Sequence, residues 1–232
     1  MRENDLSLTL GYSREAWRLE AGYSLFAQKL GVMQSAQMGN EQLLQERIRL
    51  GRPVDIMPFS RHIGYPFQQI NHHTAYFKAF FDDQNIGHFA FQSTFQQDNR
   101  RENRIRRLNH SDIPTVSLHL NSWQNALVWN KGYGQWKSEA GAQMLVTDNH
   151  NERGTGVVPI IPNYTEVAFG LYALQKLTAN RWGLEAGVRF DGQQTKADGY
   201  DWTGRRYGGK RDFTNFTYSI GGHYHINKQL KV

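Results

Sequence analysis

Apolar and polar residues alternate one by one along most of this chain. Trp17, Leu19, Ala21, Tyr23, Leu25 and Ala27 occupy one set of alternate positions, and Arg18, Glu20, Gly22, Ser24, Phe26 and Gln28 the other. Successive side chains of a strand point to opposite faces, so this pattern predicts a strand with one apolar and one polar face. Leu6, Leu8, Leu10 and Tyr12 form a similar stripe just upstream, joined to it by a tight turn at Ser13-Arg14-Glu15-Ala16. A long segment from about Gly31 to Tyr65 follows. Within it, Glu41 to Leu50 reads as a short helix ended by Gly51 and Pro53.

The pattern then repeats. A strand from about Phe67 to Phe81 turns at Asp82-Asp83-Gln84-Asn85 into one carrying Phe89, Phe91, Ser93 and Phe95 on one face. That strand is expected to end in a charged loop, Asn99 to Asp112. Val116, Leu118 and Leu120 begin the next, whose register blurs near Trp123 and predicts a bulge there. Asn130-Lys131-Gly132 reads as its turn into the run Trp136, Ser138, Ala140, Ala142, Met144 and Val146. A third long loop spans about Asp148 to Pro162. Val167, Phe169, Leu171 and Ala173 follow, and Thr178-Ala179-Asn180-Arg181 turns into Trp182, Leu184, Ala186, Val188 and Phe190. A fourth long loop, about Gly192 to Asp212, precedes a strand from Phe216 to Ile226. Asn227-Lys228 reads as one more turn.

About nine strands and a stub result, with short turns and long polar loops in strict alternation. A transmembrane β-barrel has that layout, with tight turns at one end and long external loops at the other. The expected fold is therefore all-β: an antiparallel transmembrane barrel segment of 9–10 strands in up-and-down hairpins, with short periplasmic turns and long extracellular loops. Crossing a bilayer takes tilted strands of about 9–11 residues, longer than is usual in globular sheets. Glycines at polar positions (Gly22, Gly141, Gly187, Gly221) would let lumenal side chains or a plug approach the wall closely.

Composition changes this picture little. Only 39% of the residues are hydrophobic, and no run approaches the roughly 20 apolar residues of a spanning helix. A barrel needs only half of each strand to be apolar. Aromatics reach 13%, as expected where rings form girdles at membrane interfaces. There is no cysteine, hence no disulfide and no thiolate metal site. The net charge of +6 fits a nucleic-acid binder or a protein whose loops meet anions. Met1-Arg2-Glu3-Asn4-Asp5 leads straight into a strand without an apolar signal region. Since a barrel must be exported, the chain is expected to be a piece of a longer one.

Four phrases narrow the class. Trp182-Gly183-Leu184-Glu185-Ala186-Gly187-Val188-Arg189-Phe190-Asp191 resembles a turn-and-strand phrase common in TonB-dependent outer-membrane receptors. Pro162-Asn163-Tyr164 with Val167-Ala168-Phe169-Gly170-Leu171-Tyr172 is similar to the strand before it. Pro66-Phe67-Gln68-Gln69-Ile70-Asn71-His72-His73 and Phe95-Gln96-Gln97-Asp98-Asn99-Arg100-Arg101-Glu102-Asn103 resemble further strand segments of that family. The resemblance covers most of the chain. It implies a 22-stranded barrel in the Gram-negative outer membrane, of which residues 1–232 would be a partial, interior stretch. Residues 1–232 are expected to carry neither the family's plug domain and TonB box nor its terminal aromatic strand. It further implies active uptake of a ferric siderophore, haem, cobalamin or similar nutrient, energised by the TonB–ExbB–ExbD complex through the missing plug.

Candidate chemistry lies at two places. Arg100, Arg101, Arg104, Arg106 and Arg107 form the densest basic cluster, and Arg205, Arg206, Lys210 and Arg211 a second. In outer loops they would contact an anionic ligand such as a ferric chelate, or lipopolysaccharide phosphates, by charge-assisted bonds. A solvated loop without a specific ligand is the plain alternative. Nucleic acid is not expected, because the cluster lacks interleaved aromatics and a groove-entering helix. On the polar strand faces, Arg18, Glu20, Lys137, Glu139, Glu185, Arg189, His223 and His225 are expected to line the lumen.

His72 and His73 are adjacent on a strand and cannot chelate together. His223 and His225 share a face but have no visible third ligand, so no metal and no cofactor is expected. A small self-contained outer-membrane barrel, protease or porin-like, is one competitor. A protease would need acids and His gathered at the outer rim, and neither Asp82 with Asp83 at a tight turn nor Asp148 with His150 provides that. No enzyme is expected. A soluble all-β binding protein is the other competitor, and outward aromatics such as Phe89, Phe91, Phe95, Trp136 and Trp182 argue against it.

Overall fold

The computed structural model describes residues 1–33, 41–52, 60–106, 110–227, 230 and 232. They form one antiparallel sheet of nine strands in sequence order. The strands are β1 (Arg2–Arg14), β2 (Trp17–Gly31), β3 (Phe67–Asp83), β4 (Gly87–Asn103), β5 (Val116–Tyr133), β6 (Trp136–Asn151), β7 (Asn163–Thr178), β8 (Trp182–Tyr200) and β9 (Arg206–Tyr224). A helix, α1 (Glu41–Leu50), lies in the connection from β2 to β3. It ends at Gly51, whose φ of 63° suits a residue without Cβ. Pro53, Arg107 and Lys228 lie outside the described residues.

The alternation of short and long connections is present, with one correction. One end of the sheet has the turns at residues 15–16, 84–86, 134–135 and 179–181. The other end has residues 32–66, 104–115 and 152–162. The fourth connection at this end is not the expected long loop from Gly192 to Asp212. β8 and β9 stay paired up to Tyr200↔Arg206, leaving a five-residue turn, 201–205. The Gly- and Lys-rich composition reads as loop, yet it forms a hairpin whose closest approach depends on glycine. At Gly208 (φ 156°) an added Cβ would lie 2.3 Å from the Ala197 carbonyl oxygen.

Two other expectations change. The β5–β6 turn is at Gly134 and Gln135, because Tyr133 pairs with Trp136 and carries Asn130, Lys131 and Gly132 into the ladder. The expected bulge at Trp123 is absent: Phe95↔Trp123 and Trp123↔Val146 sit in unbroken register. The blur has another cause. Toward the short-turn end of β5 the large apolar side chains (Trp123, Leu127, Trp129) share one face, with Val128 on the other, whereas toward the long-loop end Leu118 and Leu120 lie on that other face.

Register assembles one continuous apolar face. Trp17, Phe81, Phe89 and Trp129 are successive cross-strand partners next to the short turns. Their rings touch, with centroids 4.6 Å apart for Trp17–Phe81 and 6.4 Å for Phe81–Phe89. Toward the long loops, Phe95 pairs with Trp123 and Phe190 with Phe216. Aliphatic and small residues fill the interval, as from Trp136 to Val146 on β6. At ~3.3 Å per residue and a tilt of ~40° that run stands ~25 Å tall, the height of the apolar band of a membrane barrel. The long-loop ends of the strands then project beyond the band.

Among the described residues no second layer covers either face, since the strands contact only their sequence neighbours substantially. Among the described residues, Phe67 is the one buried hydrophobic residue, while Leu171, Val188 and Phe216 are 53%, 48% and 62% exposed. A soluble fold would bury such a face against another element. No described helix is long and apolar enough to cross a membrane.

Candidate functional site

The most tightly buried side chains are polar, and apart from Ser138 near the short turns they gather at the long-loop end. Asn103 is 2% exposed, and Thr115, Ser117, Asn149 and Asn151 are also buried. Each meets a hydrogen-bonding need of the adjoining loops. Asn103 Nδ2 donates to the carbonyls of Ser111 (2.9 Å) and Asp112 (3.0 Å). Asn151 Nδ2 donates to the Ile161 carbonyl at 2.9 Å, and Asn149 Nδ2 to that of Pro162 at 3.0 Å. The Gly156 amide donates to the Pro114 carbonyl at 3.1 Å, which ties loop 152–162 to loop 104–115. The Arg106 guanidinium lies where a Gly156 Cβ would be, so the two loops interlock. Ser117 Oγ donates to Glu152 at 2.6 Å, and this bond, with His119 nearby, holds the Glu152 carboxyl below its usual range.

The first basic cluster is not all loop. Arg100 and Arg101 belong to β4, because β3 and β5 extend far enough to pair with Asn99 through Asn103. Strand geometry sends them to opposite faces. Arg100 joins the polar face and donates to Glu102 (Nε 2.9 Å). Arg101 braces the loop base, donating to Asn103 Oδ1 at 3.0 Å and the Asp112 carbonyl at 2.9 Å. Arg104 and Arg106 are in the loop. The second cluster is corrected likewise. Only Arg205 is in the turn, while Arg206, Lys210 and Arg211 lie on β9. Arg206 holds Asp198 with two bonds of 2.7 and 3.0 Å, and Lys210 approaches Asp212 at 3.4 Å. Arg211 falls on the other face from Arg206 and Lys210. The cations therefore do not converge on one point.

The β8–β9 hairpin gives a pH prediction. Asp198 is held below its ordinary 3.8 by Arg206, and Asp201 by the Thr203 hydroxyl and the amides of Thr203 and Arg205. A carboxyl whose folded pKa is depressed contributes order that is present above the unfolded pKa. That order is lost as pH falls through the depressed folded value. The hairpin tip is expected to stay protected from amide exchange at pH 5. Protection should fall away below pH 3.8, while the sheet centre is unchanged. Equal loss at both places would remove these two aspartates as the cause.

The polar face collects the other expected residues. Arg18, Glu20, Lys137, Glu139, Glu185, Arg189 and His223 all fall on it by register. Most charges meet an opposite or aromatic partner. Lys78 Nζ donates to Glu20 at 3.0 Å, and Lys176 lies 3.7 Å from Glu185. Arg189 donates to Asp191 (2.9 and 2.6 Å) and to Gln143 Oε1 (3.1 Å). Arg18 sits over the Phe80 ring at 4.4 Å. His225 follows β9, and its ring meets that of His223 edge-on at 5.3 Å. No group of three or more metal-ligating side chains occurs among the described residues. Asp82 and Asp83 sit at the short-turn end, far from Asp148 and His150, which lie on β6 rather than in a loop.

The polar-face glycines receive side chains from the wall itself. Tyr76 lies over its partner Gly22 and Tyr172 over Gly141. The Tyr172 hydroxyl donates to Glu139 at 2.9 Å. Gly187 meets Ser219, whereas nothing lies within 4 Å of a Cβ at Gly221. The buried asparagines were not singled out in the sequence, where an Asn beside a polar loop carries no period.

Comparison with known proteins matches this architecture. The family model described as TonB dependent receptor-like, beta-barrel matches residues 3–232. No curated protein matches at the level of sequence. Among solved structures, the siderophore receptor PiuA from Acinetobacter baumannii is 13% identical, with a TM-score of 0.57 over 97% of this chain and 40% of its own. The ferric citrate transporter FecA, unliganded, is 14% identical (TM-score 0.59; 97% of this chain, 34% of its own). The ferric-catecholate import receptor Fiu from E. coli K12 is 13% identical (TM-score 0.54; 97% and 44%). At such identities the likeness is one of fold. The chain spans less than half the length of each of these structures.

Proposed function

This chain belongs to the TonB-dependent receptor β-barrel family, and from that premise we propose that it forms wall and outer mouth of a receptor in the Gram-negative outer membrane. The receptor takes up a scarce nutrient actively, a ferric siderophore, haem, cobalamin or similar chelate. The observation that carries this reading is the single-layer sheet with an apolar band on one face and charges on the other. The apolar band meets lipid, the short turns face the periplasm and the interlocked loops face outward. The polar face lines the lumen, where its paired charges would lie against a plug domain. The wall performs no bond-making chemistry. Energy for uptake comes from the TonB–ExbB–ExbD complex acting on that plug. The neighbouring structures bear the names of a siderophore receptor, a ferric citrate transporter and a ferric-catecholate receptor, which supports iron chelates as first choice among the nutrients.

The test is transport. Iron-starved cells that carry the whole gene are expected to accumulate ⁵⁵Fe from a ferric siderophore. Accumulation should fall to the background of cells without the receptor when either this gene or TonB is removed. Uptake that survives the loss of TonB would instead describe a passive pore.

A further inference from the structure

On the polar face at the long-loop end, loop 152–162 folds over the ends of β4 and β5. The cleft it encloses has a volume of about 360 Å³, at the small end of the range for ligand pockets. Its walls are unlike the rest of that face. Leu118 and Val116 rise from β5 where polar residues prevail, and Val157, Val158, Ile160 and Ile161 come down from the loop. These loop residues are held in place by the asparagine clamps and the Arg106–Gly156 interlock, and those facing the cleft remain partly open to water: Val157 is 51% and Ile161 54% accessible, while Ile160 points out to solvent. Apolar side chains clustered around an open cleft suit a surface that another molecule covers.

Charge says which kind. Three ionised side chains border the cleft. Arg100 and Glu102 are joined to each other and cancel. Arg104 has no hydrogen bond or ion pair among the described residues. The cleft thus offers apolar walls and one uncompensated guanidinium.

We propose that this cleft binds a compact anion with an apolar or aromatic body, such as an aryl carboxylate or an aryl-bearing chelate, with Arg104 receiving its negative group. A guanidinium recognises a carboxylate through two parallel N–H donors, and the apolar walls accept the ring. A small polyanion without apolar surface finds one free cation and walls that desolvate its other charges, so it binds poorly. The assignment names the ligand class for the mouth proposed above and rests on that reading for its biological role.

The experiment uses the product of the whole gene in lipid nanodiscs and ¹⁹F NMR titration with three probes. 4-(Trifluoromethyl)benzoate has body and charge, 4-(trifluoromethyl)benzyl alcohol the body alone, and trifluoroacetate the charge alone. The benzoate is expected to bind saturably and about tenfold more tightly than either of the others, a charge-assisted pair or a buried ring being worth about that factor. Arg104→Gln should bring the benzoate down to the level of the alcohol. Val158→Asn should weaken benzoate and alcohol alike, and Arg14→Gln at the far end of the sheet should change neither. Trifluoroacetate binding as tightly as the benzoate, a benzoate affinity indifferent to Arg104→Gln, or binding that does not saturate would overturn the proposal. If benzoate binds as expected while ⁵⁵Fe uptake is absent, the transport reading fails and the cleft stands. Normal uptake without selectivity for the aryl anion removes the cleft alone.

Discussion

Leu171→Arg is expected to cost about 2–4 kcal/mol of barrel stability, the range for a charge facing lipid at the bilayer midplane. Leu171 lies near the middle of the apolar run on β7, between Ala142 and Phe190 in register, and is 53% exposed. In water, an arginine at a half-exposed strand position would be nearly neutral. In hydrocarbon it must be desolvated or drag headgroups and water inward. Gln124→Arg supplies the comparison. Gln124 sits at similar height on β5 but on the polar face, opposite Thr94 and Leu145. A charge there projects into the polar interior and should alter stability by less than about 0.5 kcal/mol. Urea midpoints in lipid vesicles, with heat-dependent electrophoretic mobility to mark the assembled barrel, would measure both. Equal effects of the two substitutions would mean that the exposed apolar face does not meet lipid.

That contrast uses the part of the fold most legible in the sequence. A two-residue period is local, so Trp182 to Phe190 or Trp136 to Val146 declare their face without knowledge of any partner. The period is imposed by lipid on one side and polar surroundings on the other, and it lapses where the strands pass beyond the band. Arg100 to Asn103, and Gly192 to Tyr200, therefore read as loop although ladder pairing with neighbouring strands keeps them extended. Leu118 and Leu120 appeared as a register fault for the same reason: past the band, apolar side chains turn inward to the cleft face. The density of arginines marked the correct end of the molecule, but their individual roles depend on contacts between remote segments, such as Arg106 over Gly156 and Arg101 against Asp112. No spacing rule encodes those contacts, nor the asparagine clamps.

The glycines of the polar face carry the second large effect. At Gly141 an added Cβ would lie 2.2 Å from Cε1 and 2.5 Å from Cζ of Tyr172, well inside contact. Gly141→Val must push the ring away and break its hydroxyl's bond to Glu139, now 2.9 Å. Overpacking of this kind costs about 1–3 kcal/mol. The ring in turn shields a strand position that has no side chain of its own, as aromatic residues do beside glycines in sheets. Tyr172→Ala alone should therefore destabilise as well, by exposing that backbone. The two substitutions act on one contact, so their combination should cost clearly less than their sum, with a coupling of about 1 kcal/mol or more. Gly132→Val is the control, since a Cβ there would make only ordinary contacts, none nearer than 3.8 Å, and its effect should be small. Denaturant midpoints for the four variants in lipid give the cycle. Strict additivity at Gly141 and Tyr172 would show that the glycine serves some other need than seating the ring.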